Sequence, residues 1–356
     1  MTYSFNPGPA AVYPAVRQYL LDAYDQEWLS APHRSERVTA LVRQTVADLK
    51  TKLNIPQEYT VLFTGSATEG WEILTQSLTL RRSFHLYNGA FGEKWLRYAQ
   101  AQRPASSGHR FGLDEVPDTA QLPADMADVD LVCLTQNETS TATQLREGVI
   151  LNFFNRASAA LLAVDATSSM AGVNLKFVKA DVWLASVQKC FGLPAGLGLL
   201  VLSPRAVTQA KVINERAHYN SLVPALAQML NHQTNYTPNV LGIYLLSRVL
   251  TDREPIKTVA QHLTDRAHKL YEFFEQFTPL TPLITNPETR SITVIGLRGP
   301  AGLIDEVKRK ALEANLYLGS GYGDLKATTL RIANFPAVSD AAMAALVQFF
   351  AKEYPA

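Results

Sequence analysis

The fold is decided by residues 181–202, which read DVWLASVQKCFGLPAGLGLLVL. Two apolar runs, Asp181–Ser186 and Gly198–Leu202, flank a glycine-rich loop that contains Lys189 and Pro194. Apolar runs without polar alternation are typical of strands that are covered on both faces. The stretch therefore predicts two buried strands, the first of which delivers one lysine into a turn at its end.

The same pattern extends toward the N-terminus. Helical stretches such as Glu69–Leu80 and Gly92–Gln102 alternate with further short apolar runs. These runs are Val61–Thr64, Phe84–Tyr87, Leu131–Thr135 and Leu161–Val164. Strands that alternate with helices predict an α/β domain built on a mostly parallel sheet.

The C-terminal part has a different pattern. Thr258–Phe277 is predicted to be an amphipathic helix, because apolar residues recur on one of its faces. The remaining elements are a strand at Ser291–Leu297, a charged helix at Leu303–Leu316, a strand at Thr329–Phe335 and a last helix opened by Ser339-Asp340. Two strands and three helices make a smaller α+β domain. We expect residues 16–245 to form the large domain, and residues 1–15 with 246–356 to form the small one.

Composition excludes several classes of protein. The 356 residues carry 33 Lys plus Arg against 32 Asp plus Glu, so no strong field attracts nucleic acid or an anionic membrane. No apolar run approaches the ~20 residues that span a bilayer, and the N-terminus does not resemble a signal peptide. Two cysteines, Cys133 and Cys190, lie in apolar stretches, which fits a reducing compartment. We therefore expect a cytoplasmic protein. We also expect no metal site, since His262 and His268 have no metal-ligand spacing.

Lys189 is the first candidate for chemistry. Lysines are seldom buried, because removing the ammonium from water is costly. A lysine that forms a Schiff base needs its neutral amine, and burial lowers its pKa toward that form. The alternative is a lysine whose ammonium reaches solvent from a loop.

Asp165 is the second candidate, at the end of the run Leu161–Val164. In open α/β sheets, ligands bind at the carboxyl ends of the strands, so Asp165 and Lys189 are expected to face one crevice. A pyridoxal phosphate (PLP) ring needs such an acid, because an aspartate beside the ring nitrogen keeps it protonated. The alternative is an aspartate that caps a helix or turn.

A third signal lies at Gly65–Gly70, where a strand runs through small residues into a helix. Small residues let backbone N–H groups approach a phosphate, and the helix N-terminus favours an anion. The segment is not a Walker A loop, because Trp71-Glu72 stands where Lys-Ser/Thr is required. An ordinary capping box remains the alternative.

Three weaker candidates complete the set. Phe91 either stacks on an aromatic ligand or packs in the core. Arg331 either clamps a substrate carboxylate or forms a structural ion pair. His33-Arg34, in a polar loop, either binds an anion or is simply solvated.

In their order and spacing, these pieces resemble the class V aminotransferases of PLP fold type I, and within that family the phosphoserine aminotransferases. The motifs that recur are Phe5-Asn6-Pro7-Gly8-Pro9-Ala10, Pro32-His33-Arg34, Asn137-Glu138-Thr139, Asp165 with Ser168-Ser169, and Gln188-Lys189. The resemblance covers nearly the whole chain. It implies a dimeric enzyme of amino-acid metabolism, most like those of serine biosynthesis.

The resemblance also implies roles for individual residues. Lys189 would hold PLP and shuttle the proton, Asp165 would pair with the ring nitrogen, and Arg331 would bind the substrate α-carboxylate. The other cofactor-binding residues would be Ser66, Ala67, Thr68, Phe91, Thr139, Thr167, Gln188 and, from a partner subunit, Thr237. The other substrate-binding residues would be Gly8, His33 and Arg34.

One departure concerns the substrate. Phosphoserine aminotransferases usually have a His-Arg pair before the last arginine, whereas this chain has Gly323-Asp324-Leu325-Lys326. An aspartate there would repel a phosphate, while Lys326 could compensate as a point charge. Several glycine-rich segments look closer to alanine–glyoxylate and serine–pyruvate aminotransferases. We expect transfer from phosphoserine to 2-oxoglutarate, with a small non-phosphorylated amino acid as the alternative donor.

Three rival classes are less consistent with the sequence. A cysteine desulfurase needs a mobile cysteine near residues 310–330, and neither Cys133 nor Cys190 lies there. A nucleotide-binding module would leave Gln188-Lys189 unexplained. A family member that binds PLP without turnover is disfavoured by the presence of Lys189, Asp165 and Arg331.

Overall fold

The structure, a computed structural model, describes residues 2–276 and 279–354. The helices are α1 (Val16–Asp25), α2 (Glu36–Leu53), α3 (Ala67–Leu78), α4 (Ala90–Gln102), α5 (Glu147–Arg156), α6 (Pro204–Ile213), α7 (Leu222–Met229), α8 (Val240–Asp252), α9 (Ile256–Gln276), α10 (Ala301–Glu313) and α11 (Asp340–Glu353). The strands are β1 (Tyr3–Phe5), β2 (Thr60–Thr64), β3 (Arg82–Tyr87), β4 (Ser107–Arg110), β5 (Val129–Thr135), β6 (Asn137–Glu138), β7 (Thr143–Gln144), β8 (Leu161–Asp165), β9 (Val182–Ser186), β10 (Gly198–Leu202), β11 (Thr281–Pro282), β12 (Val294–Arg298), β13 (Leu316–Ser320) and β14 (Thr329–Ala333).

The larger sheet has seven strands in the order β2-β10-β9-β8-β5-β3-β4. The pairs from β9 to β4 are parallel, and β10 is antiparallel to both of its neighbours. Every residue of β8, β9 and β10 is buried, as the unbroken apolar runs predict. The α/β class and the mostly parallel sheet are therefore confirmed.

Register brings the polar ends of these strands together. Thr135 at the end of β5 pairs with Asp165 at the end of β8. Asp165 pairs in turn with Leu184, two residues before the end of β9. One edge of the sheet therefore collects a hydroxyl, a carboxylate and the loop that contains Lys189.

The smaller sheet has five strands in the order β1-β13-β14-β12-β11, so the expectation of two strands was wrong. The helix expected at Leu303–Leu316 ends at Glu313, because Asn315 takes a left-handed conformation (φ 61°) and Leu316 begins β13. The helix expected at Thr258–Phe277 is α9, and Phe277 lies outside the described residues.

Two buried apolar clusters accompany the two sheets. The larger contains the seven-stranded sheet and extends through α8 to Ile256. The smaller contains Phe5 of β1 together with α10 and α11. The division into residues 16–245 against 1–15 with 246–356 stays a prediction. In the described part of the chain, no helix combines the length and apolar character needed to cross a bilayer, and no cluster of potential metal ligands occurs.

Candidate active site

A cavity of about 260 Å³ lies between the carboxyl edge of the seven-stranded sheet and the five-stranded sheet. It is lined by Pro7, Gly8, Pro9, Ser66, Ala67, Thr68, Trp71, Phe91, Thr135, Asn137, Thr139, Asp165, Thr167, Ser186, Gln188, Lys189, Tyr322 and Arg331. Ligands of open α/β folds bind at such an edge. The cavity is therefore the candidate active site.

Lys189 is buried at the floor of this cavity, with only 7% of its surface exposed. Burial lowers the pKa of its ammonium to about 8, although the carboxylates of Asp165 and Glu138 oppose the shift. Its Nζ donates to Thr139 Oγ1 at 2.9 Å and lies 5.1 Å from the centre of the Phe91 ring. A Cβ on Gly8 would lie 3.2 Å from Lys189 Cε, so glycine leaves room for the lysine there. The neutral amine needed for attack on an aldehyde is accessible near neutral pH.

Asp165 is buried on the same edge and accepts two hydrogen bonds. The backbone N–H of Thr167 donates to Oδ1 and the indole Nε1 of Trp71 donates to Oδ2, both at 2.8 Å. Burial raises the pKa of Asp165, while the two N–H donors favour its charged form. A carboxylate held in this way, with Lys189 nearby, suits a protonated ring nitrogen.

The N-terminus of α3 forms the end of the cavity where a phosphate would bind. Ser66 caps the helix, since its Oγ accepts from the N–H of Glu69 at 3.1 Å. Ala67 N–H donates to Ser186 Oγ at 2.8 Å. Gly198 permits this close packing, because a Cβ there would lie 2.5 Å from the backbone carbon of Ser66. The start of this helix and the hydroxyls of Ser66 and Ser186 therefore line one end of the cavity, where the helix N-terminus favours an anion.

The half-buried side chain of Gln188 contributes an amide group to this end of the cavity. Its Oε1 is inaccessible to solvent and forms no hydrogen bond with any described residue. Buried polar groups are normally paired, and an unpaired carbonyl oxygen needs a donor such as water. A phosphate accepts hydrogen bonds, so it would be held by the amide N–H groups of Gln188 and by Ser66. With that assignment the expected cofactor fits: a phosphate at this end of the cavity, a ring nitrogen beside Asp165, and an aldehyde beside Lys189.

Arg331 enters from β14 on the opposite wall, and 8% of its surface is exposed. Its Nε donates to Ser320 O at 2.7 Å and its Nη1 donates to Thr139 O at 2.8 Å. Burial lowers the pKa of the guanidinium to about 10, against the attraction of Glu138. Its Nη2 forms no hydrogen bond with a described residue, so both of its N–H groups remain for a ligand carboxylate.

Most of the residues expected at the site are brought together. Gly8 and Arg331 on the substrate side, and all the expected cofactor-binding residues except Thr237, line the cavity. Thr237 is exposed outside it, and so is the loop in which Arg34 Nε donates to His33 Nε2 at 3.3 Å. The assigned roles stay predictions.

Sequence reasoning missed Trp71, Tyr322 and Glu138. Tyr322 packs 5.4 Å from the Phe91 ring, and the guanidinium of Arg331 lies 5.7 Å from the Tyr322 ring centre. Glu138 lies behind the cavity wall and hydrogen-bonds to the start of α4. The sequence placed Glu138 in the recurring motif Asn137-Glu138-Thr139 but gave its carboxylate no role.

Comparison with known proteins gives consistent results. The model of the family described as aminotransferase class-V matches residues 95–305. A phosphoserine aminotransferase from Rhodococcus opacus (strain B4) is 29% identical over 346 residues, which are 94% of this chain and 90% of that protein.

Two solved structures illustrate the range of similarity. The crystal structure of a phosphoserine aminotransferase from Cytophaga hutchinsonii is 31% identical, covers 99% of both chains and has a TM-score of 0.93. An alanine–glyoxylate aminotransferase from Nostoc sp. has a TM-score of 0.80 over 99% of this chain and 94% of its own, with 20% identity. The second likeness supports the fold alone.

Proposed function

The chain belongs to the class V aminotransferase family, which makes it a PLP-dependent transaminase, and we propose that it transfers the amino group of phosphoserine to 2-oxoglutarate. One observation carries the transaminase chemistry: the buried Lys189 amine, with its lowered pKa, shares a cavity with the buried carboxylate of Asp165. The named phosphoserine aminotransferases that match nearly the whole chain support the choice of donor.

PLP, when bound, supplies an aldehyde that captures the amino group and a ring that accepts electrons. With the cofactor bound, Lys189 Nζ would be the group that carries the proton removed from the substrate Cα. Asp165 would pair with the ring nitrogen, and Thr139 would hydrogen-bond to the ring hydroxyl. Phe91 would pack on the ring, while Arg331 would orient the substrate α-carboxylate.

The partner subunit is a further part of the proposal. Thr237, His33 and Arg34 lie outside the cavity of their own chain. We propose a homodimer in which the loops that carry these residues complete the active site of the partner subunit. Thr237 would lie at the cofactor phosphate and His33-Arg34 at the substrate phosphate. Cytoplasmic location is also proposed, and the two buried, unpaired cysteines are consistent with it.

A second candidate donor is a small amino acid without a phosphate. Among the described residues that line the cavity, the cations are Lys189 and Arg331. Asp324 and Lys326 are both exposed and outside the lining, so Lys326 does not replace the missing His-Arg pair. If no partner residue supplies charge, alanine or serine fits the cavity better than phosphoserine.

The test is a set of half-reactions with the purified, PLP-loaded protein. Phosphoserine, serine, alanine and glutamate are mixed with it in turn, and the loss of cofactor absorbance is followed. Phosphoserine and glutamate should react fastest. A faster reaction with serine or alanine would establish the second candidate instead.

Borohydride reduction tests the transaminase site itself. It should fix the cofactor mass on the peptide that contains Lys189, and a Lys189→Ala variant should show neither the label nor turnover. A label on another lysine would refute the assignment.

A further inference from the structure

Glu138 is a buried carboxylate, 2% exposed, on the short hairpin that β6 and β7 form beside the cavity. Its Oε2 accepts from the N–H groups of Phe91 at 3.2 Å and Gly92 at 3.0 Å, in the first turn of α4. Its Oε1 accepts from the N–H of Ser140 at 3.0 Å and from Ser140 Oγ at 2.6 Å. One carboxylate therefore joins the start of a helix to a hairpin.

Hydrogen bonding favours the charged form of this carboxylate. Burial raises the pKa of Glu138, but all four hydrogen bonds are donated to it. Three of the donors are backbone N–H groups that can only donate, so a protonated carboxyl would weaken these bonds. The N-terminus of α4 also favours a negative charge at this position.

The joined segments carry the residues that contact Lys189. Phe91, whose N–H binds Glu138, presents its ring to Lys189 Nζ at 5.1 Å. Thr139, the next residue after Glu138, accepts from Lys189 Nζ and, through its carbonyl oxygen, from Arg331 Nη1. A shift of the carboxylate therefore moves both sides of the proposed ring site at once.

The packing leaves little freedom for any other arrangement. Ser140 Oγ also accepts from Ala90 N–H at 2.9 Å, so the hairpin holds α4 at a second point. A Cβ on Gly89 would lie 2.5 Å from Ser140 Oγ, which excludes any larger residue between helix and hairpin. On its other side the hairpin is fixed by Asn137, which donates to Ser168 Oγ and accepts from Ser291 Oγ.

We infer that Glu138 is a positioning residue for transamination: its carboxylate sets the plane of Phe91 against the hydroxyl of Thr139, and so the place of the cofactor ring relative to Lys189 Nζ. The inference rests on the proposed roles of Phe91, Thr139 and Lys189. Glu138 itself touches neither substrate nor cofactor.

The test compares Glu138→Gln with Glu93→Gln in the PLP-loaded protein. Glutamine keeps the size of the side chain but presents N–H groups to N–H donors, so kcat should fall about 10- to 100-fold, as small misplacements at reacting groups do. KM for the amino donor should change much less than kcat, because Arg331 keeps its hydrogen bond to Ser320 O and loses a neighbouring negative charge. Glu93 is exposed in the first turn of the same helix, and its variant should behave like the wild type.

A spectroscopic readout separates positioning from a purely structural role. The titratable groups that act on Glu138 and Lys189 are each other, Asp165, Arg331 and, for Lys189, Cys190. Removing the charge of Glu138 should lower, by about one pH unit, the pH at which the absorbance of the Lys189-bound cofactor changes. Glu138→Asp, which keeps the charge, should leave that pH near the wild-type value even though its shorter chain lowers kcat.

Two results would overturn the inference. One is a folded Glu138→Gln protein with a kcat within twofold of the wild type. The other is a loss of kcat accompanied by a higher KM, a lower melting temperature and an unmoved titration, which is the pattern of general damage to α4. Absence of any cofactor bond to Lys189 in the wild type would refute the proposed function and this inference together, whereas the first two results leave the proposed function intact.

Discussion

Trp71→Phe should raise the pKa of Asp165 in the cofactor-free protein. The indole Nε1 of Trp71 donates to Asp165 Oδ2 at 2.8 Å, and both residues are 3% exposed. Phenylalanine removes the donor but keeps an aromatic side chain in the core. The charged form of Asp165 then loses one of its two N–H partners, while Thr167 N–H remains.

The size of the effect follows from the hydrogen bond that is lost. A bond to a charged acceptor contributes about 1.5–3 kcal/mol. Since 1.36 kcal/mol corresponds to one pKa unit, the pKa of Asp165 should rise by about 1–2 units. A hydrogen bond to the ionised form lowers a pKa, so its removal raises it. The ionised carboxylate is the form that holds the protonated ring, and PLP affinity should therefore be lost at a higher pH as the solution is acidified.

The assay is PLP binding to the cofactor-free protein as a function of pH, measured by the cofactor fixed after borohydride treatment. Trp95→Phe is the matched control. Trp95 is stacked on Trp71 with ring centres 5.9 Å apart, and its buried Nε1 has no partner among the described residues. Both variants lose the same atoms from the same core, but only Trp71→Phe removes a donor from Asp165.

Two outcomes would refute the reasoning. One is an acidic limb of the Trp71→Phe binding curve that coincides with that of the wild type, and the other is an equal shift of this limb in Trp95→Phe. In either case the indole N–H does not determine the charge state of Asp165. A shift confined to Trp71→Phe supports the hydrogen bond from Trp71 to Asp165 as part of the cofactor site.

Three further predictions concern the lysine, the arginine and the helix cap. The rate of covalent PLP attachment, followed by stopped-flow absorbance, should rise about tenfold per pH unit and level off near pH 8, because the neutral amine of Lys189 is the reacting form; a flat profile would contradict the lowered pKa. Arg331→Ala should raise KM for the amino donor by about 100-fold and also reduce kcat, with Arg331→Lys in between, in steady-state assays; an unchanged KM would place the carboxylate elsewhere. Ser66→Ala and Ser339→Ala each remove a helix cap and should each cost about 1 kcal/mol in denaturant unfolding, but only Ser66→Ala should weaken PLP binding; equal PLP affinity in both variants would exclude Ser66 from the phosphate site.

Residues at strand ends were the ones that the sequence made predictable. Lys189 and Asp165 each follow an unbroken apolar run, and parallel strands bring such ends to one edge. Ser66 was predictable for a related reason, since it stands between a strand and the amphipathic start of a helix. These inferences need only local patterns and one rule of sheet topology.

Other residues depended on contacts between distant segments. Trp71 lies inside α3, where an aromatic residue is ordinary core material, and only the packing of α3 on β9 and β10 brings its N–H to the carboxylate of Asp165. β13 was missed because only Ala314 and Asn315 separate it from α10, and the left-handed Asn315 marks the turn. β1 has three residues and acquires its partner β13 from the far end of the chain. Neither the Trp71–Asp165 contact nor the pairing of β1 with β13 has a signal in the local sequence.

The choice of donor and the assembly state are physically linked. A phosphoserine molecule has two anionic ends, and in the described cavity Arg331 is the cation that remains once Lys189 is bonded to PLP. The exposed Asp324 offers no compensation, so the phosphate needs positive charge from outside the chain's own lining. His33-Arg34 of a partner subunit is the source proposed here, and a donor without a phosphate needs no such source. If Arg34→Ala weakens the binding of phosphoserine and leaves that of alanine unaffected, one measurement supports both the homodimer and the specificity. If the protein is monomeric and still prefers phosphoserine, the charge comes from elsewhere and the proposed arrangement of the two subunits is wrong.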